Sequence, residues 1–242
     1  MWWAPTTEFF AYLDRGSARL RSGAGFRPAA QARDLGRIAR GQLPQALREA
    51  SAKAGTAQRR LHVLLGSSLC RFTLLENTGR LNSDAEVLAL AAVALKDRLG
   101  LEPSEWIGAV DRQWDQSALV CAVRAQLLEE LRAAASFEGC RLASVRPWIG
   151  EFLRVRGGQA RKLRSLGVIE PDAASLLSGQ AGATLIQTIP CSEGADPLDA
   201  IRYLIGGAGG SAAALPVVRF EAGAGPARRD FVDCATAIQS LA

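Results

Sequence analysis

Apolar residues along this chain fall into short runs broken by turn residues, as in strands, separated by stretches with the three-to-four-residue spacing of helices. In Ala11 to Gly23, AYLDRGSARLRSG, an apolar run ends in Asp14, turns, and closes on Ser22-Gly23. Gly167 to Gly179, GVIEPDAASLLSG, repeats this at a constant offset of 156 residues. That offset pairs Asp14 with Glu170, Ala18 with Ala174, Leu20 with Leu176, Ser22 with Ser178 and Gly23 with Gly179. Each copy reads as a β-hairpin. A hairpin opening two halves of one chain points to a duplicated α/β unit.

Between the hairpins, Pro28 to Ala54 places Leu35, Ile38, Leu43, Ala46 and Leu47 near helical spacing. It predicts a helix interrupted around Gly41 to Pro44. Arg60 to Glu76, RLHVLLGSSLCRFTLLE, predicts a strand pair, its first member buried on both faces and turned by Gly66-Ser67-Ser68. Asn82 or Ser83 caps a helix with Asp84 and Glu86 in its first turn, Lys96 and Arg98 near its end and Gly100 at C′. Trp106 to Val110 and Ser117 to Val123 read as strands joined through DRQWDQ, whose Asp111 and Asp115 are ordinary turn acids. An amphipathic helix with Leu127, Leu128, Leu131 and Ala135 on one side follows. A strand from Arg141 to Val145 makes the passage βαβ-like, and Pro147-Trp148-Ile149 starts a short helix.

Arg154 to Arg164, RVRGGQARKLR, reads as a solvated linker rather than an anion site. Beyond the second hairpin, the pattern predicts a strand Ala183 to Ile189 and a helix from Asp196 or Pro197 to Leu204. A strand Pro216 to Glu221 and a last helix Asp230 to Leu241 complete it. The second half is therefore three strands, helix, strand, helix.

At 242 residues the chain is long enough for two lobes, and 48% hydrophobic with 22% charged residues is ordinary globular composition. The net charge of +5 is almost all arginine, since the lysines are Lys53, Lys96 and Lys162. Spread along the chain without a nucleic-acid motif or interleaved aromatics, it reads as the mark of a GC-rich bacterial genome rather than of a nucleic-acid partner. Cys70, Cys121, Cys140, Cys191 and Cys234 are odd in number and form no CxxC pair, which argues against a disulfide framework or zinc site and for a reducing compartment. His62, the sole histidine, reads as a sheet-face residue. MWWAPTTEFF has neither a basic n-region nor a long apolar h-region, and Val87 to Leu95 is too short to span a bilayer, so a soluble chain is expected.

The order of elements, with LHVLLGSSLCRFTLLE, the helix from Asp84 to Gly100 and CAVRAQLLEELRAAASFEGCRLASVRPW, resembles the actin-like PilM and GspL family of type IV pilus and type II secretion assembly. The likeness covers Glu8 to Trp148 closely and the rest by topology. It implies a two-lobed actin-like (RNase H-like) α/β fold of duplicated mixed sheets flanked by helices. Residues 1–150 would be the first lobe, with inserted strands and helix at about 61–110, residues 151–165 a basic connector, and 166–242 the second lobe.

The actin-like fold ordinarily binds ATP between its lobes, with a DxG hairpin in each half and a Gly-Gly motif near the adenosine. Asp14, Gly16 and Ser17 match the first pattern, where a glycine turn offers amides to a phosphate and the acid organises Mg²⁺ through water. The second copy departs from it: Pro171 in Glu170-Pro171-Asp172 removes an N–H donor, and Asp172 adds a repelling charge. LIGGAGG, with Gly206 and Gly207, looks like the Gly-Gly motif, but the helix predicted before it makes a loop the better reading. No P-loop, GxSxG or HExxH sequence occurs. The resemblance thus implies a non-catalytic cytoplasmic scaffold with a degenerate nucleotide site and no cofactor or metal. It would be recruited to the inner membrane by a protein partner there or by an assembly ATPase, without inserting itself. The alternative is an ATP- and Mg-binding switch or weak ATPase using Asp14, Gly16, Ser17, Gly206 and Gly207.

Overall fold

The computed structural model describes residues 6–24, 33–52, 58–112, 117–137, 139–153, 165–180, 183–192, 194–207, 215–219 and 238–240. Strands β1 (Thr6–Leu13), β2 (Ser17–Ala24) and β3 (Arg33–Ala39) lead into helix α1 (Leu43–Ala52) and strand β4 (Gln58–Leu65). Then come β5 (Cys70–Leu75), α2 (Asp84–Leu99), β6 (Trp106–Arg112), β7 (Ala118–Arg124), α3 (Ala125–Phe137) and β8 (Cys140–Pro147). Residues 148–153 form a short helix, α4. The remainder is β9 (Ser165–Glu170), β10 (Ala173–Gln180), β11 (Ala183–Pro190), α5 (Pro197–Gly207), β12 (Pro216–Arg219) and β13 (Ile238–Ser240).

Two five-stranded sheets repeat one plan, β3-β2-β1-β4-β8 and β11-β10-β9-β12-β13. In both, the first two strands form an antiparallel hairpin and the first strand runs parallel to the fourth. The hairpin registers are superimposable. Leu13 faces Ala18 and Ala11 faces Leu20, while Ile169 faces Ala174 and Gly167 faces Leu176, which is the sequence offset carried into hydrogen-bond register. The sheets differ at their last strand: β8 is parallel to β4, whereas β13 is antiparallel to β12.

Burial explains the layering. Phe9, Phe10, Ala11, Tyr12 and Leu13 are all buried, as a central strand covered on both faces requires. On one face Phe9, Ala11, Leu13, Leu61, Val63 and Leu65 pack under Leu43 and Leu47 of α1 and Leu127, Leu128 and Leu131 of α3. On the other, Phe10 and Tyr12 join Trp148, Ile149 and Phe152 of α4 with Leu166, Val168, Leu177 and Ile186 of the second sheet. One apolar cluster thus seats the two sheets together. Ile201, Leu204 and Ile205 of α5 cover the outer face of the second sheet.

A smaller sheet, β5-β7-β6, sits in the chain between β4 and β8, its members antiparallel. Helix α2 packs Val87 and Ala91 on its Leu75, Ala118 and Val120. Ser83 caps α2 by accepting the Glu86 amide, and Gly100 ends it at φ +64, as its sequence predicts.

Several expectations are corrected. Residues 33–39 are a strand rather than the start of a helix, and among the described residues of that passage a 3₁₀ turn at Arg40–Gln42 leads into the helix at 43–52. β4 and β5 do not pair: a 3₁₀ turn at Ser67–Leu69 carries the chain from one sheet into another, where β5 pairs with β7. β7, α3 and β8 are not a βαβ unit within one sheet, because β7 and β8 belong to different sheets. Asp111 lies in β6 rather than in a turn. Residues 238–240 are strand, not helix. Residues 28–32, Asp115, the connector 154–164, Gly209, Gly210 and residues 230–237 of the expected last helix lie outside the described residues.

Candidate functional site

The tips of the two hairpins meet. Beyond β1, Asp14 opens a tight turn at Arg15-Gly16, and its carboxylate folds back onto that turn. Oδ1 accepts the amides of Gly16 (3.0 Å) and Ser17, and Oδ2 accepts the Ser17 hydroxyl at 2.6 Å. Short acidic side chains favour this closure of their own turn. Arg37 of β3 adds a bond to Ser17 Oγ at 2.8 Å and an ion pair to Asp14 at 3.5 Å. Asp14 is 2% exposed, so its neighbours consume its acceptor capacity.

Glu170 and Asp172, at the tip of the second hairpin, reach into the first half. Glu170 Oε1 accepts the Tyr12 hydroxyl at 3.1 Å, and both its oxygens accept the Ser67 amide, at 3.1 and 3.2 Å. Asp172 Oδ2 accepts the Arg15 amide at 2.8 Å and the Ser68 hydroxyl at 2.6 Å. Gly66 makes the approach possible: a Cβ there would stand 2.7 Å from Tyr12 Oη and 3.1 Å from the Leu13 carbonyl. The Gly66 amide donates to that carbonyl at 2.7 Å, fixing the turn after β4 against the end of β1.

Burial pushes the Glu170 carboxyl up to about 7, with the Asp172 charge adding to it, against the opposing bonds from Ser67 and Tyr12. The Tyr12 hydroxyl is pushed well above its ordinary value, first by burial and then by Glu170.

Gly206 and Gly207, read in sequence as the adenosine-side pair, are exposed residues of the last turn of α5. The helix expected before them is present, and no strand leads into them. His62 sits on the sheet face, stacked on Phe10 at 5.1 Å with Nδ1 2.9 Å from Ser144 Oγ. Among the described residues, no group of three or more His, Cys, Asp or Glu side chains is placed to hold a metal ion.

A second feature lies away from the hairpin tips. Helix α2 is apolar on more than the face it buries, and Leu90, Val93 and Leu99 are 45%, 57% and 49% exposed. Between α2 and strands β6 and β7 is a cavity of about 310 Å³, lined by Leu88, Ala92, Leu95, Trp106 and Val120 among others. Leu90 and Val93 form an exposed apolar face on the side of α2 turned away from the cavity-lining Leu88, Ala92 and Leu95. Sequence reading identifies the helix but not this face, because which side of an all-round apolar helix is covered is a property of the fold.

No protein-family model matches the sequence, and neither does any curated protein. Solved structures do match. The cytoplasmic domain of EpsL, an inner membrane component of the type II secretion system of Vibrio cholerae, aligns at a TM-score of 0.52 and 14% identity, over 76% of this chain and 71% of that one. A Bacteroides thetaiotaomicron protein of actin-like ATPase fold and unknown function aligns at 0.54 and 11%, over 85% and 78%. The PilM-PilN type IV pilus biogenesis complex aligns at 0.52 and 12%, over 81% and 68%. The chain has the actin-like fold of these secretion and pilus proteins, as its sequence resemblance implies. Among the described residues, no helix is long and apolar enough to cross a membrane.

Proposed function

We propose that this protein is a non-catalytic scaffold of a type IV pilus or type II secretion assembly, cytoplasmic and held at the inner membrane by a protein partner or an assembly ATPase. Residues 1–150 and 166–242 form its two lobes, the first carrying the small β5-β7-β6 sheet with α2 as an insertion between β4 and β8, and the connector follows α4. The observation that carries the reading is the bonding of Glu170 and Asp172. In an actin-like nucleotide site, backbone amides at the hairpin turns face phosphate oxygens. Here Asp172 takes the amide of Arg15 in the first hairpin's turn and Asp14 takes those of Gly16 and Ser17, while Glu170 takes the amide of Ser67 in the turn after β4. A triphosphate would have to displace hydrogen-bonded acids, two of them buried, and then lie beside their charge. The fold shared with EpsL and PilM supports the assembly role, and the exposed face of α2 supplies a surface for it.

A second reading keeps ATP with Mg as ligand, on the match of Asp14, Gly16 and Ser17 to the DxGS pattern, and requires the Gly16 and Ser17 amides to leave Asp14. Thermal unfolding separates the two. A ligand at a hundred times its Kd raises stability by about 2.7 kcal/mol, so a melting temperature indifferent to saturating ATP and Mg²⁺ supports the scaffold. A rise that Asp14→Ala abolishes supports the switch.

A further inference from the structure

Trp106, at the start of the edge strand β6, lines the cavity under α2 and is flanked by two guanidiniums, those of Arg71 and Arg124, each 5.8 Å from its ring centroid. Arg71 is fixed on the backbone, its Nη1 donating to the carbonyls of Cys70 at 2.8 Å and Ser68 at 3.3 Å. Ser68 shares Asp172 with the amide of Arg15, which brings a third arginine to the same corner. Among the described residues, no carboxylate forms an ion pair with Arg15, Arg71 or Arg124. Asp172, the acid bonded here, serves a backbone amide and a hydroxyl instead. Burial, with the charges of Arg15 and Arg124, pulls the Arg71 guanidinium below its ordinary value.

Arg71 is repelled by both Arg15 and Arg124, and with none of the three in an ion pair among the described residues, the excess positive charge is a cost that an anionic partner relieves. The cavity beside them is apolar, so the partner must carry an apolar side chain next to its charge. Trp106 serves both parts, its ring lining the cavity and stacking on the guanidiniums. Among the described residues β6 is a sheet edge, a place for strand addition, and alternate residues of an added strand fall on one face. A nucleic acid would need a tracking groove of cations with successive stacking platforms. One tryptophan beside an apolar hole fits a peptide better.

We propose that Trp106, Arg71, Arg124 and Arg15, with the cavity under α2, recognise an acidic, apolar-alternating segment of a partner protein laid along β6. The inference rests on the scaffold reading and names the surface and the chemistry of its partner.

Its test uses the whole chain and two synthetic peptides of about eight residues, ordinary strand length. One alternates leucine with glutamate, the other leucine with lysine, and fluorescence anisotropy follows their binding at low salt. The acidic peptide should bind roughly tenfold or more tightly than the basic one. Arg124→Glu, at an exposed position, should abolish that preference and Arg124→Lys should keep it. Ala92→Trp, filling the cavity, should weaken the acidic peptide in a chain that still melts cooperatively. Equal binding of both peptides, an unchanged affinity in Arg124→Glu, or tighter binding of a single-stranded oligonucleotide than of the acidic peptide would overturn it. ATP binding alongside acidic-peptide binding defeats the scaffold reading and spares this surface. Charge-blind peptide binding without ATP binding does the reverse.

Discussion

The hydroxyl of Tyr12 on β1 donates to the carboxylate of Glu170 on β9, at 3.1 Å and across 158 positions of sequence. This bond joins the first strands of the two repeated sheets near the tips of their hairpins. Tyr12 belongs to the apolar cluster that seats the sheets together, so the polar contact lies at the edge of a dry interface. A carboxyl held there is costly to ionise.

Glu170 titrates near 7 in the folded chain against 4.5 for an ordinary glutamate. The folded state therefore holds a proton the unfolded state has released, and stability from this group falls as pH rises between those values. The full penalty applies above about 7 and none below about 4.5. The shift corresponds to about 3 kcal/mol. Urea unfolding should show wild type losing stability from acidic to mildly alkaline pH relative to Glu170→Gln, and parallel profiles for the two would refute the assignment.

Gly66→Ala should destabilise by about 1–3 kcal/mol, the usual cost of overpacking. The new methyl would meet the Tyr12 hydroxyl and a backbone carbonyl that cannot swing aside. A melting temperature lower by several degrees checks it. No change would mean that the turn after β4 does not press on β1.

Much of this arrangement is legible in sequence, and the failures have physical causes. The offset pairing Asp14 with Glu170 reappears as identical hairpin register, because turn position and apolar alternation together fix strand pairing. β3 is unreadable as a strand because Leu35 and Ile38 are three residues apart, a helical spacing. The extra residue that β3 carries opposite Arg19 to Arg21, with Gly36 at φ +91, reverses the alternation and lets both residues pack on the core. The continuation from β4 to β5 looks like a hairpin because both runs are apolar, and no local signal shows that β5 pairs with β7. The Arg71, Trp106 and Arg124 group is invisible for the same reason, since strand pairing alone brings these positions together. Pro171 is visible in the sequence, but the bonds of Glu170 and Asp172 to Tyr12, Ser67, Arg15 and Ser68 are not, because they join halves of the chain more than 100 positions apart.

Ser68 and Asp172 should be energetically coupled. Their bond is 2.6 Å long and shares Oδ2 with the Arg15 amide. Ser68→Ala and Asp172→Ala should each cost about 1–3 kcal/mol, and the double variant should cost less than their sum by at least about 0.5 kcal/mol. Strict additivity in a denaturation cycle would show that the contact does not bridge the halves.

Trp148 is fully buried in the cluster between the sheets, stacked on Phe152 with centroids 5.5 Å apart. Trp148→Ala should cost about 3–5 kcal/mol. Hydrogen exchange should then show protection lost in both β1 and β9. Loss confined to α4 would mean that the sheets do not depend on this cluster.

The central claim is that carboxylates of the second hairpin occupy the donors a nucleotide's phosphates would need. Isothermal titration of the intact chain with ATP and Mg²⁺ near neutral pH tests it most directly. The account predicts no saturable heat at millimolar nucleotide, and a one-to-one isotherm with micromolar Kd would contradict it.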